Sequence, residues 1–464
     1  MTGKGHAPSP TESERITAIL VGIQLPDESD QEHEAGLAEL GRLVQTLGYD
    51  VRATVTQRRE SLAPAAVLGE GKLKELADLT GGKGVVPSGA RVRKSKARSR
   101  REAGESDGPD DDRHDETDAA SETLAKSTVV VVDHEISPSQ ARNLERATGA
   151  RVLDRTGVIV DIFHRHAKSR EARAQVEIAR LNYVAPRLRE SGGSSERQHG
   201  KGSGESAMEL DKRKIRDRIA ELRRELAEIA KDQESRRALR QGQLRVALVG
   251  YTNAGKSSLM RALTGSDVLV QDKLFATLDT TVRALSPETK PRILVSDTVG
   301  FIQKLPHDLV ASFRSTLDEA LEASLLLFVV DGSDPMHLSQ LEVTRRVLAE
   351  IGAANVPSLL LLNKVDRVDE AGRAHLRRLH GEDAFLVSAH EPASVQSLRD
   401  KIISIFDAQM VEADIVVPYS KQALMGSVYE AAKVVAEEYD EAGTHLRVRG
   451  LPEAIARLHA VFAR

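Results

Sequence analysis

A chain of 464 residues exceeds what one hydrophobic core supports, so it divides into several domains. The absence of cysteine excludes disulfides, thiolate zinc sites and thiol chemistry and suits a reducing cytosol, while an aromatic share of 3% without Trp leaves the packing to aliphatic side chains and makes base-stacking platforms improbable. A net charge of −4 confines any nucleic-acid surface to a local patch, and no apolar run approaches the ~18 residues of a membrane span, so a cytoplasmic protein without a membrane span is expected.

Residues 1–14 have the composition of a disordered terminus. From 15 onward an apolar run (RITAILVGIQL), a periodic stretch around Leu37, Leu40 and Leu47, and the half-alternating GYDVRATVTQ predict strand, helix and strand. A helix is predicted over Gly71 to Leu79, and TVVVVD at Thr128 to Asp133 reads as a buried strand. Together these give a small parallel α/β domain over 15–169. It is interrupted at 83–126 by a segment with ten Lys/Arg and ten Asp/Glu but four Val/Leu/Ile/Phe, too few apolar groups to offset chain entropy, so disorder is expected there. Its basic half, RVRKSKARSRR, has the local charge of an RNA-binding arm without requiring that role.

Residues 170–240 carry two helical patterns around a Gly/Ser-rich segment, 191–206. Ile215, Ile219, Leu222, Leu226 and Ile229 recur at alternating steps of four and three, and Ala174, Ile178, Leu181 and Ala185 repeat that spacing. An antiparallel helical hairpin with a flexible tip is the expectation. The five basic residues of DKRKIRDR, 211–218, are either a solvated face or phosphate contacts.

A third domain, 243–409, holds the motifs that carry chemistry. The apolar strand LRVALVG runs into Gly250-Tyr251-Thr252-Asn253-Ala254-Gly255-Lys256-Ser257 and then into a helix, the strand-loop-helix context that the phosphate-loop pattern GxxxxGK[ST] requires. Backbone N–H groups there close around phosphates, Lys256 reaches the β- and γ-phosphates, and the Ser257 hydroxyl binds Mg²⁺. PRILVS ends in Asp297-Thr298-Val299-Gly300, where the carboxylate can hold Mg²⁺ through its water shell and Gly300 can offer its N–H to the γ-phosphate. VPSLLLL ends in Asn363-Lys364-Val365-Asp366, whose carboxylate can accept both hydrogens from N1 and N2 of guanine, a donor pair that adenine lacks. Ser388-Ala389-His390 follows a last strand, placed for a backbone contact to the guanine O6. In this order the elements predict GTP as substrate and GDP as product, with Lys256, a switch threonine and Gly300 as the catalytic set. Thr277, Thr280 and Thr281 compete for the threonine that completes the Mg²⁺ shell, and spacing does not choose among them. After Gly300 stands Phe301, which cannot orient a water as a glutamine does there in many GTPases. Slow hydrolysis in isolation, accelerated by a partner that supplies or orders the missing group, is therefore expected. The remaining 411–464 reads as a small α/β domain with strand-helix-strand-helix order.

The segments GYTNAGKSS, FATLDTT, DTVGFIQKLPHDLV and NKVD, with GEGK (69–72), SPSQARNLE (137–145), DRTGVIVDIFHRHAKSREARAQVEIARLNYVAPRL (154–188) and DKRKIRDRI (211–219) upstream, resemble the HflX family of ribosome-associated GTPases over most of the chain. The resemblance implies a GTPase that binds the large (50S) ribosomal subunit and its rRNA and splits or rescues stalled 70S ribosomes, often under stress; a monomer is the expectation, although the sequence does not reveal the oligomeric state. It implies a hairpin tip, here 191–206, that approaches the peptidyl-transferase region. The wording GSGESAMELDKRK keeps the family's Gly204, Glu205, Glu209, Leu210 and Asp211 and differs around them, and the insertion at 83–126 lies outside the family pattern. The resemblance adds Phe275, Ala276, Thr277, Leu278 and Asp279 to the GTP contacts and favours Thr277, with Ser257, as a magnesium ligand.

Overall fold

The computed structural model describes residues 16–62, 65–86, 128–191, 207–239, 243–266, 275, 280–304, 319–381 and 383–462. The terminus 1–14, the tip beyond Ser191, and the insertion beyond Val86 fall outside them. The chain divides into two compact units, one of 1–162 with 180–215 and one of 163–179 with 216–464.

In the first unit β1 (Thr17–Gln24), α1 (Asp30–Thr46), β2 (Asp50–Arg58), α2 (Glu70–Thr80), β3 (Thr128–Val132), α3 (Pro138–Thr148) and β4 (Arg151–Asp154) alternate. The strands form one parallel sheet of order β2-β1-β3-β4. The mostly apolar β1 and β3 occupy the two central places, where both faces are covered. Helix starts follow the local chemistry: Ser29 with Glu32 and Ser137 with Gln140 make reciprocal capping boxes. Helix α4 (Arg155–His166) leaves β4 directly.

At the carboxyl ends of β3 and β4 lies a buried ionic cluster. Arg155, 2% exposed, donates to the Asp133 carboxylate at 2.6 Å and to Glu39. Asp154 accepts from the Tyr183 hydroxyl at 2.7 Å, Arg187 at 2.6 Å and the Gly157 N–H at 2.8 Å. Burial, with the Asp154 charge beside it, raises the Tyr183 phenol far above its ordinary range, so it stays a neutral donor. Tyr183 and Arg187 sit one turn apart on α5 (Arg170–Ser191), with the guanidinium 3.4 Å from the ring centroid.

In the second unit the start of α5 meets α6 (Ala207–Leu239), with Arg170 paired to Glu225. Glu177 lies near Arg218, so along this stretch the two helices run antiparallel as the spacing predicts. Ala174 and Ile178 are buried on α5 together with Ala172, Gln175, Val176 and Ala179, and Leu222 is buried on α6.

There follow β5 (Leu244–Gly250), α7 (Lys256–Thr264), β6 (Thr281–Ala284), β7 (Ile293–Asp297), β8 (Leu325–Asp331), α8 (His337–Glu350), β9 (Ser358–Asn363), α9 (Glu370–His380), β10 (Phe385–Leu386) and α10 (Pro392–Gln409). The six strands order as β10-β9-β8-β5-β7-β6, parallel except for the edge strand β6. Leu244, Val246 and Leu248 of β5 join α7 and α10 in the main core. Because the parallel strands all end on one side, the segments after β5, β7, β9 and β10 are gathered there.

The chain ends with β11 (Val411–Val417), α11 (Met425–Ala431), β12 (Lys433–Tyr439), β13 (Thr444–Gly450) and α12 (Pro452–Phe462), whose strands form an antiparallel sheet of order β11-β13-β12. The expected strand-helix-strand-helix order omits β12. Its KVVAEEY lacks alternation and is rich in helix formers, yet it pairs with β13 from Lys433 to Tyr439 across a register shift, so tertiary pairing overrides local preference.

Arg155→Ala leaves Glu39 and Asp133 buried without their cation. Removing one member of such a buried ion cluster costs ~3–5 kcal/mol, expected as a fall in the urea midpoint of the transition that unfolds this sheet.

Candidate functional site

The loop between β5 and α7 is held from several sides. Lys256 is buried and its Nζ donates to the Gly250 carbonyl at 3.0 Å and the Tyr251 carbonyl at 2.8 Å. Burial lowers its pKa to about 8 against the opposing pull of Asp297, so the ammonium is kept where a phosphate would relieve its desolvation. The Ser257 hydroxyl donates to the fully buried Asp297 carboxylate at 2.6 Å, bringing the two expected magnesium-side groups together. Thr298 anchors the strand end through its hydroxyl to the Leu248 carbonyl at 2.7 Å, and Val299 is buried beside it.

Asn363 and Lys364 reach back to the same loop. Asn363 Nδ2 donates to the Ala254 carbonyl at 2.8 Å, and its Oδ1 accepts from the Ala389 N–H at 3.3 Å. Lys364 Nζ donates to the Asn253 carbonyl and to Asp331 Oδ2, each at 2.7 Å. Gly255 sits at φ +96°, and a Cβ there would lie 2.2 Å from Asn363 Nδ2, so only glycine lets the amide cross the loop. Asp366 is exposed, so a base can reach its carboxylate, and Ser388 Oγ donates to Oδ1 at 2.7 Å. That hydrogen bond comes first among the causes that hold Asp366 below the usual carboxylate range. The Ser388 hydroxyl also accepts from the His390 N–H at 3.3 Å, and Val365 packs beneath in the core.

The segment after Gly300 is joined to the loop by main-chain bonds. Phe301 N donates to the Gly250 carbonyl at 3.1 Å, and Thr252 N donates to the Phe301 carbonyl at 2.8 Å. Gln303 N donates to the Tyr251 hydroxyl at 2.7 Å. Motif spacing does not reveal this tie or the Asp331 pairing, although an acid ending the apolar LLLFVVD is a legible strand-end signal.

Of the expected switch residues, Ala276, Thr277, Leu278 and Asp279 lie outside the described residues. The Phe275 ring is buried edge-to-face on Phe163, centroids 4.5 Å apart, so its side chain serves packing. Thr281 begins β6 opposite Asp297. Residues 250–257, 297–300, 363–366 and 388–390 are thus gathered at one sheet end.

Family models described as "GTP-binding GTPase N-terminal", "GTP-binding GTPase Middle Region" and "50S ribosome-binding GTPase" match 34–86 with 112–164, 166–240 and 245–364. The chain is 66% identical over 442 residues to a GTPase HflX of Gluconacetobacter diazotrophicus, covering 95% of this chain and 96% of that one. The chain belongs to the GTPase HflX family. A GTPase HflX of Escherichia coli is 33% identical, covering 93% of both chains. A solved GTP-binding protein from Sulfolobus solfataricus in complex with GDP is 23% identical with a TM-score of 0.41, covering 84% of this chain and 98% of that one. As an HflX-family protein the chain is a GTP hydrolase. The N-terminal model skips 87–111, which includes the basic half of the charged insertion. Among the described residues no helix is long and apolar enough to cross a membrane.

Ser388→Ala removes the donor that fixes the Asp366 carboxylate. A hydrogen bond to a charged group contributes ~1.5–3 kcal/mol, so GDP affinity is expected to fall ~10-fold or more, read by titration with a fluorescent GDP.

Proposed function

We propose that the protein binds the large (50S) ribosomal subunit and its rRNA and splits or rescues stalled 70S ribosomes, with GTP hydrolysis resetting the cycle. The observation that carries this reading is the family match over nearly the whole chain, including the model described as "50S ribosome-binding GTPase". Exposed cations on α6 support it: Arg213, Lys214, Arg216, Arg218, Arg223 and Arg224 stand among exposed Asp211, Asp217 and Glu221, and cations of this kind meet phosphates without fixing a base sequence.

On this reading residues 250–257, 297–300, 363–366 and 388–390 hold GTP, with Lys256 and Gly300 facing the phosphates. Ser257 would hold Mg²⁺ directly and Asp297 through water, and the expected partner Thr277 lies outside the described residues. A hydroxyl meeting a carboxylate at 2.6 Å is the all-oxygen donor pair that a small hard cation takes. Bound there, the ion neutralises charge on the phosphates during transfer. Asp366 reads the guanine edge. The order of residues 275–279 would then report the γ-phosphate to the ribosome-facing parts of the chain.

The test is sucrose-gradient sedimentation of intact 70S ribosomes with the full-length protein and GTP, GDP or a non-hydrolysable GTP analogue. Conversion into free subunits with GTP or the analogue, but not with GDP, is expected. Co-migration with intact ribosomes in every nucleotide state would replace splitting by a hibernation or sensing role.

A further inference from the structure

Hydrolysis needs a water held in line behind the γ-phosphorus, and a hydrogen-bond acceptor to hold it. Phe301 offers no such group. Its side chain is 2% exposed, and its main chain is bonded to the phosphate loop in both directions. Among the loop's own side chains, Lys256 has only N–H donors, Ser257 is engaged with Asp297, the Tyr251 hydroxyl accepts from Gln303 N, and Asn253 is exposed to solvent.

Thr252 is different. It is 7% exposed, and its Oγ1 is buried with no hydrogen-bond partner. Buried hydroxyls are normally paired, so an unpaired one at the crown of a phosphate loop calls for a ligand. Its place is fixed by Gly300, where a Cβ would lie 2.9 Å from Thr252 Cα and Cγ2 and 3.0 Å from Lys256 Nζ. Thr252, through its Cα and methyl, the Lys256 ammonium and the Gly300 backbone therefore adjoin one another. Those last two are the groups that meet the β- and γ-phosphates in the GTPase reading, on which this inference rests.

We infer that the Thr252 hydroxyl accepts a hydrogen bond from the attacking water and orients it, in place of the glutamine absent at Phe301. The water oxygen bonds to the γ-phosphorus as the bond from that phosphorus to the β–γ bridging oxygen breaks. The electron pair leaves with GDP, and the water's protons end on the released phosphate and solvent. Thr252 keeps its own proton throughout, because an alcohol is too weak a base to take one from water. Its contribution is orientation, which an isosteric apolar side chain cannot supply.

The experiment compares full-length wild type, Thr252→Val and Thr252→Ser in single-turnover GTP hydrolysis, with fluorescent-GDP titration in parallel. Valine keeps the shape and deletes the hydroxyl; serine keeps the hydroxyl. Thr252→Val is expected to lose ~100-fold or more in rate, as for removal of one positioned polar group, with GDP affinity within ~2-fold, while Thr252→Ser recovers most of the lost rate. A wild-type rate in the valine variant overturns the inference. So does a parallel loss of GDP affinity, which makes the hydroxyl a nucleotide contact, and so does a serine variant as slow as valine, which assigns the role to shape. Failure of the wild type to bind GDP would instead overturn the nucleotide-site reading itself.

Discussion

A loop that binds phosphate must point its amides inward, so its carbonyls need partners elsewhere. Here four loop carbonyls are met by three donors' segments: the loop's own Lys256, Phe301 after Gly300, and the Asn363–Lys364 pair. The Gly250 carbonyl accepts from Lys256 and Phe301, the Tyr251 carbonyl from Lys256, the Asn253 carbonyl from Lys364 and the Ala254 carbonyl from Asn363. Asn253 and Lys364 both adopt the left-handed backbone region, at φ 59° and 62°, to bring this about. Such strained positions persist where their surroundings over-determine them, and here they cluster at the candidate site.

The consequence is mechanical. Asn363 bonds on one side to the phosphate loop and on the other to Ala389, while Asp366 three residues later is fixed by Ser388. On the proposed nucleotide reading, the segments for base reading and phosphate binding therefore share one braced body. On the opposite side the segment after Gly300 pairs with the same loop through Phe301 and through the Tyr251 hydroxyl. A change in that segment would reach the loop through two main-chain bonds of Phe301 and one bond to the Tyr251 side chain.

The site was largely legible in the sequence because its chemistry is backbone chemistry at fixed spacing. Glycines at 250 and 255, an acid ending β7, and Asn363 to Asp366 ending β9 declare themselves one after another. The buried strands were legible as apolar runs. What stayed hidden depends on partners far apart in the chain: Arg155 finds Asp133 across 22 residues and Glu39 across 116, and no spacing rule anticipates either. Strand β12 escaped because its Ala and Glu content speaks for helix while its pairing with β13 decides. Phe275, expected at the nucleotide by resemblance, is used through its ring for packing on Phe163. The unpaired hydroxyl of Thr252 is a property of burial, which the motif pattern does not encode.

The claim that the base-reading segment braces the phosphate loop is tested most directly by amide hydrogen exchange, followed by mass spectrometry, on peptides covering 248–258 in wild type and Asn363→Ala. Losing the amide that caps Ala254 and holds Ala389 should loosen the loop, so exchange there is predicted to quicken ~10-fold, as expected when local opening becomes cheaper by a single hydrogen bond. Unchanged protection across 248–258, with guanine-nucleotide affinity alone reduced, would contradict the account and leave Asn363 as a contact to the base only.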